Sequence, residues 1–237
     1  MAFTFIASAG NSDDASGTTL DCSSSLNVEA GDLLVAWTKN EGAPTTHAMA
    51  KSTGSPANTF TYDAADTEDH SNADLSGAFG YVLAAAADAT ATFRMTLGAA
   101  RPYRRVLVMQ FRPDGGETVT RDAGNNGQGN SSALSSGNVT TTGTDEVICG
   151  GYGEYGTRTA SSEQVGGVAA TEPAASPQGG YTAAWYLIAT STFTGAATAT
   201  LDADTEWVCG AIAFKSEAVA SDVTIVSKRM SGWQYSS

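Results

Sequence analysis

GDLLVAWTK, residues 31–39, sets Leu33, Val35 and Trp37 at alternate positions, the spacing of one face of a β-strand. TATFRMTLG, residues 90–98, repeats the pattern with Phe93, Met95 and Leu97. RVLVMQF, residues 105–111, goes further: Val106 and Val108 fall on one face, Leu107, Met109 and Phe111 on the other. A strand apolar on both faces belongs in the middle of a layered β structure. Gly, Ser, Thr and Asn punctuate these runs, and no capped amphipathic helix of three turns is legible. Even the Ala84–Ala87 run is flanked by strand-like Tyr81-Val82-Leu83 and Thr90-Ala91-Thr92-Phe93. The fold expected is therefore all-β.

The same phrases recur in the same order. AGN at 9–11 returns at 123–125, and GDLLVAW from Gly31 is echoed by TDEVICGGY from Thr144. GYVLAAAADATATFRMTL from Gly80 is echoed by WYLIATSTFTGAATATL from Trp185, and RRVLVMQF ending at Phe111 by WVCGAIAF ending at Phe214. The separation between counterparts shrinks from 114 to 103 residues along the chain, as loop deletions would produce. Two repeat units are expected, 3–113 and 117–216, joined at Pro113-Asp114-Gly115-Gly116. They form a jelly-roll-like two-sheet sandwich over residues 1–216, followed by a C-terminal arm, 217–237. Either each unit is its own small sandwich or the units interleave their strands in one double sheet. The thin polar start of the second unit, AGNNGQGNSSALSSGN, favours interleaving.

Composition narrows the function. A net charge of −13, from 25 acidic and 12 basic residues, disfavours nucleic acid, whose binding rests on phosphate neutralisation. The opening MAFTFIASAGN lacks a basic leader, and nowhere do about 18 apolar residues run together as a membrane helix requires. No membrane partner is expected, and synthesis is expected in a cytoplasm. Cys22, Cys149 and Cys209 form no CxxC pair and read as small buried hydrophobes; Trp37, Trp185 and Trp207 read as core.

Catalytic signatures are sparse. His47 and His70 are the chain's two histidines, and neither lies near a GxSxG elbow or a cysteine in triad-like context. No catalytic residue, cofactor or metal site is expected. The densest acidic stretch, DAADTEDHSNAD at 63–74, reads as a solvated loop, with a structural Ca²⁺ site as the alternative; it lacks the spacing and central glycine of an EF-hand. Opposed to it, Arg94, Arg101, Arg104, Arg105 and Arg112 gather five of the chain's eight arginines within nineteen positions. Such a cluster either pairs internally with the acids or forms a docking patch, in which Arg101, Arg104 and Arg105 are candidates. The arm supplies Val223, Ile225, Lys228, Arg229, Trp233 and Tyr235. Its apolar side chains are too few to offset the entropy of ordering it, so a neighbouring subunit or host lattice is expected to hold it.

Taken together, FTFIASAGN, AGDLLVAW, the GYVLAAA and TATF pair, and WYLIA, TATL, Trp207 and AIAF resemble the jelly-roll, concanavalin-like structural proteins of tailed bacteriophages, over residues 3–216. The resemblance implies a non-enzymatic virion component, most simply a capsid decoration or cement protein. Its partners would be the major capsid protein or like subunits, with homo-oligomers common. The alternative implied is a glycan-binding module of a tail appendage.

Overall fold

A computed structural model describes residues 3–54, 58–70, 74–115, 117–176 and 181–218. The first half carries β1 (Phe3–Asp13), β2 (Gly17–Asp21), β3 (Leu26–Val28), β4 (Leu33–Glu41), β5 (His47–Lys51), β6 (Thr67–His70), β7 (Leu75–Val82), β8 (Asp88–Ala91), β9 (Phe93–Arg101) and β10 (Arg104–Pro113). The second carries β11 (Glu117–Thr140), β12 (Glu146–Glu154), β13 (Ala160–Val165), β14 (Val168–Ala169), β15 (Thr182–Ala189) and β16 (Thr194–Ala218). Among the described residues the only helical turn is the 3₁₀ segment Ala64–Asp66. All the strand pairs are antiparallel.

The first half builds an inner sheet, β1-β10-β4-β7-β6, and an outer sheet, β2-β9-β5, with β3 and β8 paired beside it. Successive strands β1, β2, β4, β5, β7, β9 and β10 alternate between the two, and the first pairs with the last. That wrapping is a jelly roll. The inner sheet of the second half runs β11-β16-β12-β15. Here the long strands β11 and β16 pass between layers: Glu117–Ser131 pairs with Thr205–Ala218, and Ala133–Thr140 with Thr194–Thr200. The ladder slips between Ser131 and Ala133, where the strands bend. The outer part of that sheet is completed by β13 and β14.

Among the described strands no interleaving occurs. Each described strand pair joins segments of one half, so each half is its own sandwich. The polar start of the second unit is accommodated because β11 spans both layers and needs apolar side chains only at Val119, Leu134 and Val139.

What joins the halves is a third core. Leu33, Val35, Trp37, Leu107, Met109 and Phe111 meet Val119, Val147, Cys149, Ala184, Ile212 and Phe214 across the two inner sheets. The opposite faces of the same strands serve separate cores: Leu34, Ala36, Val106 and Val108 in the first half, Ile148, Tyr152, Cys209 and Ala211 in the second. Alternation of side chains therefore explains why β4 and β12 are buried along their whole length. Trp37 crosses deepest. Its indole N–H donates to Thr182 Oγ1 (2.9 Å) and the Tyr152 carbonyl (3.2 Å), both in the other half. A Cβ on Gly151 would fall 2.7 Å from the Trp37 ring and one on Gly77 2.6 Å, so those glycines make its slot. Phe5 stacks on Tyr186 across the same boundary, with centroids 4.7 Å apart. The three cysteines are buried and unbridged, and Trp185 and Trp207 are core, as their strand patterns imply.

Candidate functional site

Residues 64–70 of the acidic stretch are not a solvated loop. Asp66 is buried, and Arg121 of β11 grips it with two parallel bonds, Nε to Oδ2 at 3.0 Å and Nη2 to Oδ1 at 2.6 Å. Asn126 Nδ2 donates to the Thr67 carbonyl (2.9 Å), Gln128 Nε2 to Glu68 Oε1 (2.8 Å), and His70 Nε2 lies 3.2 Å from the Gly129 carbonyl. Residues 64–70 thus clasp the second half, and the carboxylate leaves water because a guanidinium of the other half receives it. Gly124 permits the approach: a Cβ there would sit 2.2 Å from Asp66 Oδ1. Among the described residues no group of three or more His, Cys, Asp or Glu is placed to hold a metal ion, so the Ca²⁺ alternative gains no support.

Beside the clasp lies a cleft of about 650 Å³, lined in part by Thr45, Thr46, His47, Tyr62, Asp63 and Asp69. Strand β5 brings His47 to its floor. The His47 Nδ1 is 2.8 Å from Thr38 Oγ1 and its Nε2 is 2.9 Å from Ser76 Oγ. Because the Thr38 hydroxyl donates to the Ala78 carbonyl (3.1 Å), it accepts from Nδ1–H, and Nε2 is left to accept from Ser76. Burial pushes the imidazole down to about 4, so the ring is neutral near pH 7. This serine–histidine contact is not a nucleophile pair, because Ser76 is fully buried. Tyr62 lies against the Gly80 backbone, where a Cβ would fall 2.5 Å from its ring, and burial pushes its phenol up.

The cleft wall is anionic. Asp63 accepts from the Tyr81 hydroxyl (2.8 Å) and stands 3.3 Å from Arg121, while Asp69 Oδ1 is shielded from solvent with no hydrogen-bond partner among the described residues. Burial also pushes Glu68, next along β6, above its usual range, with the Gln128 amide opposing. No family model, no curated protein and no solved structure matches the chain.

The arginines are used elsewhere. Arg104 binds Asp13, the Thr19 carbonyl and the Ala15 carbonyl, and Arg105 binds Asp14 (2.6 Å) while lying over the Tyr181 ring. Both are buried, so the docking role expected of Arg104 and Arg105 does not fit their positions. Arg112 pairs with Asp32 and Glu29, and Arg94 with Asp21. Arg101 stays partly exposed, bonded to the Ala43 carbonyl (2.8 Å). Val223, Ile225, Lys228, Arg229, Trp233 and Tyr235 lie outside the described residues. Sequence reasoning passed over Arg121 and placed Asp69 only within the acidic stretch; the AGN echo at 123–125 was the nearest signal for Arg121, since Gly124 makes room for it.

Proposed function

We propose that this chain is a non-enzymatic structural protein of a bacteriophage virion, of the capsid-decorating kind, working as a rigid block bound to neighbouring subunits. The observation that carries the reading is the shared central core, which fuses two jelly rolls into one body. The resemblance of the strand phrases to phage structural proteins points the same way. The docking surface moves from the arginine cluster, which is neutralised internally, to the anionic cleft. Asp69, whose Oδ1 meets no donor among the described residues, with the Tyr62 ring beside it, suits a lysine or arginine side chain of a partner. A mass spectrum of purified virions tests the reading. It predicts the chain in fixed proportion to the major capsid protein, and lower occupancy for Asp69→Lys; particles lacking the chain would overturn it.

One observation favours a second reading, a glycan-binding appendage module. Tyr62 shares the cleft with hydroxyl and carboxylate acceptors, the usual furniture of a sugar site. Binding of neutral glycans on an array, lost on Tyr62→Ala, would replace the first reading.

A further inference from the structure

At the end of β4 and β12 remote from the joint, charged side chains from both jelly rolls leave water together. The first roll supplies Lys39, Glu41 and Arg105; the second supplies Glu154, with Arg158 and Tyr181 beside it. Lys39 and Glu154 are completely buried. Lys39 Nζ lies 2.9 Å from Glu41 Oε1 and 5.1 Å from the Tyr181 ring centroid, and Arg105 shares that ring at 4.7 Å. The Lys39 stem rests on the other roll: a Cβ on Gly153 would fall 2.5 Å from its Cγ. Glu154 Oε1 accepts the Arg158 backbone N–H (2.8 Å), while Oε2 is shielded and meets no donor among the described residues.

We propose that this junction is a proton-controlled latch: the two rolls hold most tightly at this end while Glu154 is protonated, and the junction opens more readily as Glu154 ionises. The physical reason is the orphaned oxygen. With the proton on Oε2 the neutral acid leaves one uncharged hydroxyl unmet, whereas the carboxylate leaves a charge shielded from water at the same place, which costs far more. The groups facing Glu154 are Lys39 and Glu41 from β4, Tyr152 on its own strand and Arg158 from the segment after β12, while Arg105 of β10 acts on Lys39. Burial outweighs the cations among them and pushes Glu154 up to about 7; burial likewise holds Lys39 down to about 8, against the pull of Glu41.

The direction follows from linkage. Once opened to water, Glu154 ionises near its ordinary 4.5, so ionisation favours the open form wherever the closed form still holds its proton. Opening therefore rises about tenfold for each pH unit between 4.5 and 7, and levels off above. Lys39 acts oppositely at higher pH: its closed form sheds a proton near 8, against 10.5 in water, so closure recovers through that window.

Amide hydrogen exchange on the full chain, corrected for intrinsic rates, tests this at the ends of Leu33–Glu41 and Glu146–Glu154. From about pH 5 to 7 the wild type should open about fortyfold more readily, and Glu154→Gln should stay protected and flat. A flat wild type, or an equal rise in the variant, overturns the latch. Should Glu154→Gln not fold, the carboxyl ¹³C shift of Glu154 in the wild type decides: a midpoint at the ordinary 4.5 overturns it, one near 7 supports it.

Discussion

Replacing Arg121 with Met should loosen the clasp between the halves. Asp66 is wholly buried at its side chain, and Arg121 is the cation paired with it. Burial pushes the Asp66 carboxyl up even with the guanidinium present, so the native pair already stands near the limit of what one cation can offset. Methionine keeps the apolar stem but leaves a carboxylate shielded from water without a counter-charge, a loss of about 3 to 5 kcal/mol. Asp63 adds little, because it is 41% exposed and keeps its bond from Tyr81. Urea unfolding near pH 7 measures the deficit. The sign with pH is fixed: a carboxyl whose folded pKa is raised contributes most below its unfolded value of 3.8 and loses that contribution as pH climbs through the folded value. Without Arg121 the folded value moves higher still, so the deficit should shrink as the medium is acidified toward 4. Pairing Arg121→Met with Asp66→Asn should recover most of the loss at neutral pH. A deficit under about 1 kcal/mol, the scale of a surface pair, or a double variant no better than the single, would refute the reasoning.

Trp37→Phe keeps an aromatic ring in the glycine slot but deprives Thr182 Oγ1 of its donor, while the Tyr152 carbonyl keeps the bond from the Thr182 hydroxyl. Unfolding should register a loss of about 1 to 3 kcal/mol, and an unchanged midpoint would mean that water replaces the indole. His47 should show no imidazole titration by NMR between about pH 5 and 8. Since its folded pKa lies at about 4 against 6.5 in water, stability should fall as pH drops through that interval, and His47→Gln should remove that part of the slope. Arg94→Ala is the contrast. Arg94 and Asp21 are 41% and 42% exposed, so despite bidentate geometry, with bonds of 2.6 and 2.7 Å, thermal denaturation should show a change no larger than about 1 kcal/mol.

The strand phrases made the layers legible because side-chain parity is a local property. Leu107, Met109 and Phe111 against Val106 and Val108 announced a strand between two cores, and β10 lies in that place. The strands carrying GDLLVAW and TDEVICGGY each pair with the last strand of their own half, β4 with β10 and β12 with β16. What parity cannot report is which sheet a strand pairs in, so the choice between interleaved and separate sandwiches went the wrong way. Nor can it report the partner of a charge. Whether Arg104 and Arg105 pair internally or form a surface patch stayed open because Asp13 and Asp14 lie some ninety residues away in sequence and come opposite only through the β1–β10 register. Lys39 stands at the polar end of its strand, yet it is buried because its stem rests against Gly153 of the second half, while Thr38 before it turns to His47 of the first. The cleft was illegible for the same reason, since the segments carrying Thr45 and Asp69 meet only after both are folded.

The two halves should unfold as one. Each has its own outer core, which alone would allow independent melting, but the central core takes side chains from both inner sheets, Trp37 bonds across it, and the Arg121 clasp closes one flank. Separating the rolls would expose the apolar face of both inner sheets at about 25 cal/mol per Å², a cost neither outer core can offset. Calorimetry should therefore show a single transition whose van't Hoff and calorimetric enthalpies agree. Arg121→Met and Glu154→Gln, which alter separate sets of contacts, should move that one transition additively. Two resolved transitions in the wild type, with Arg121→Met shifting only one, would mean that the rolls are neighbours on a string and that the shared core contributes far less than its burial implies.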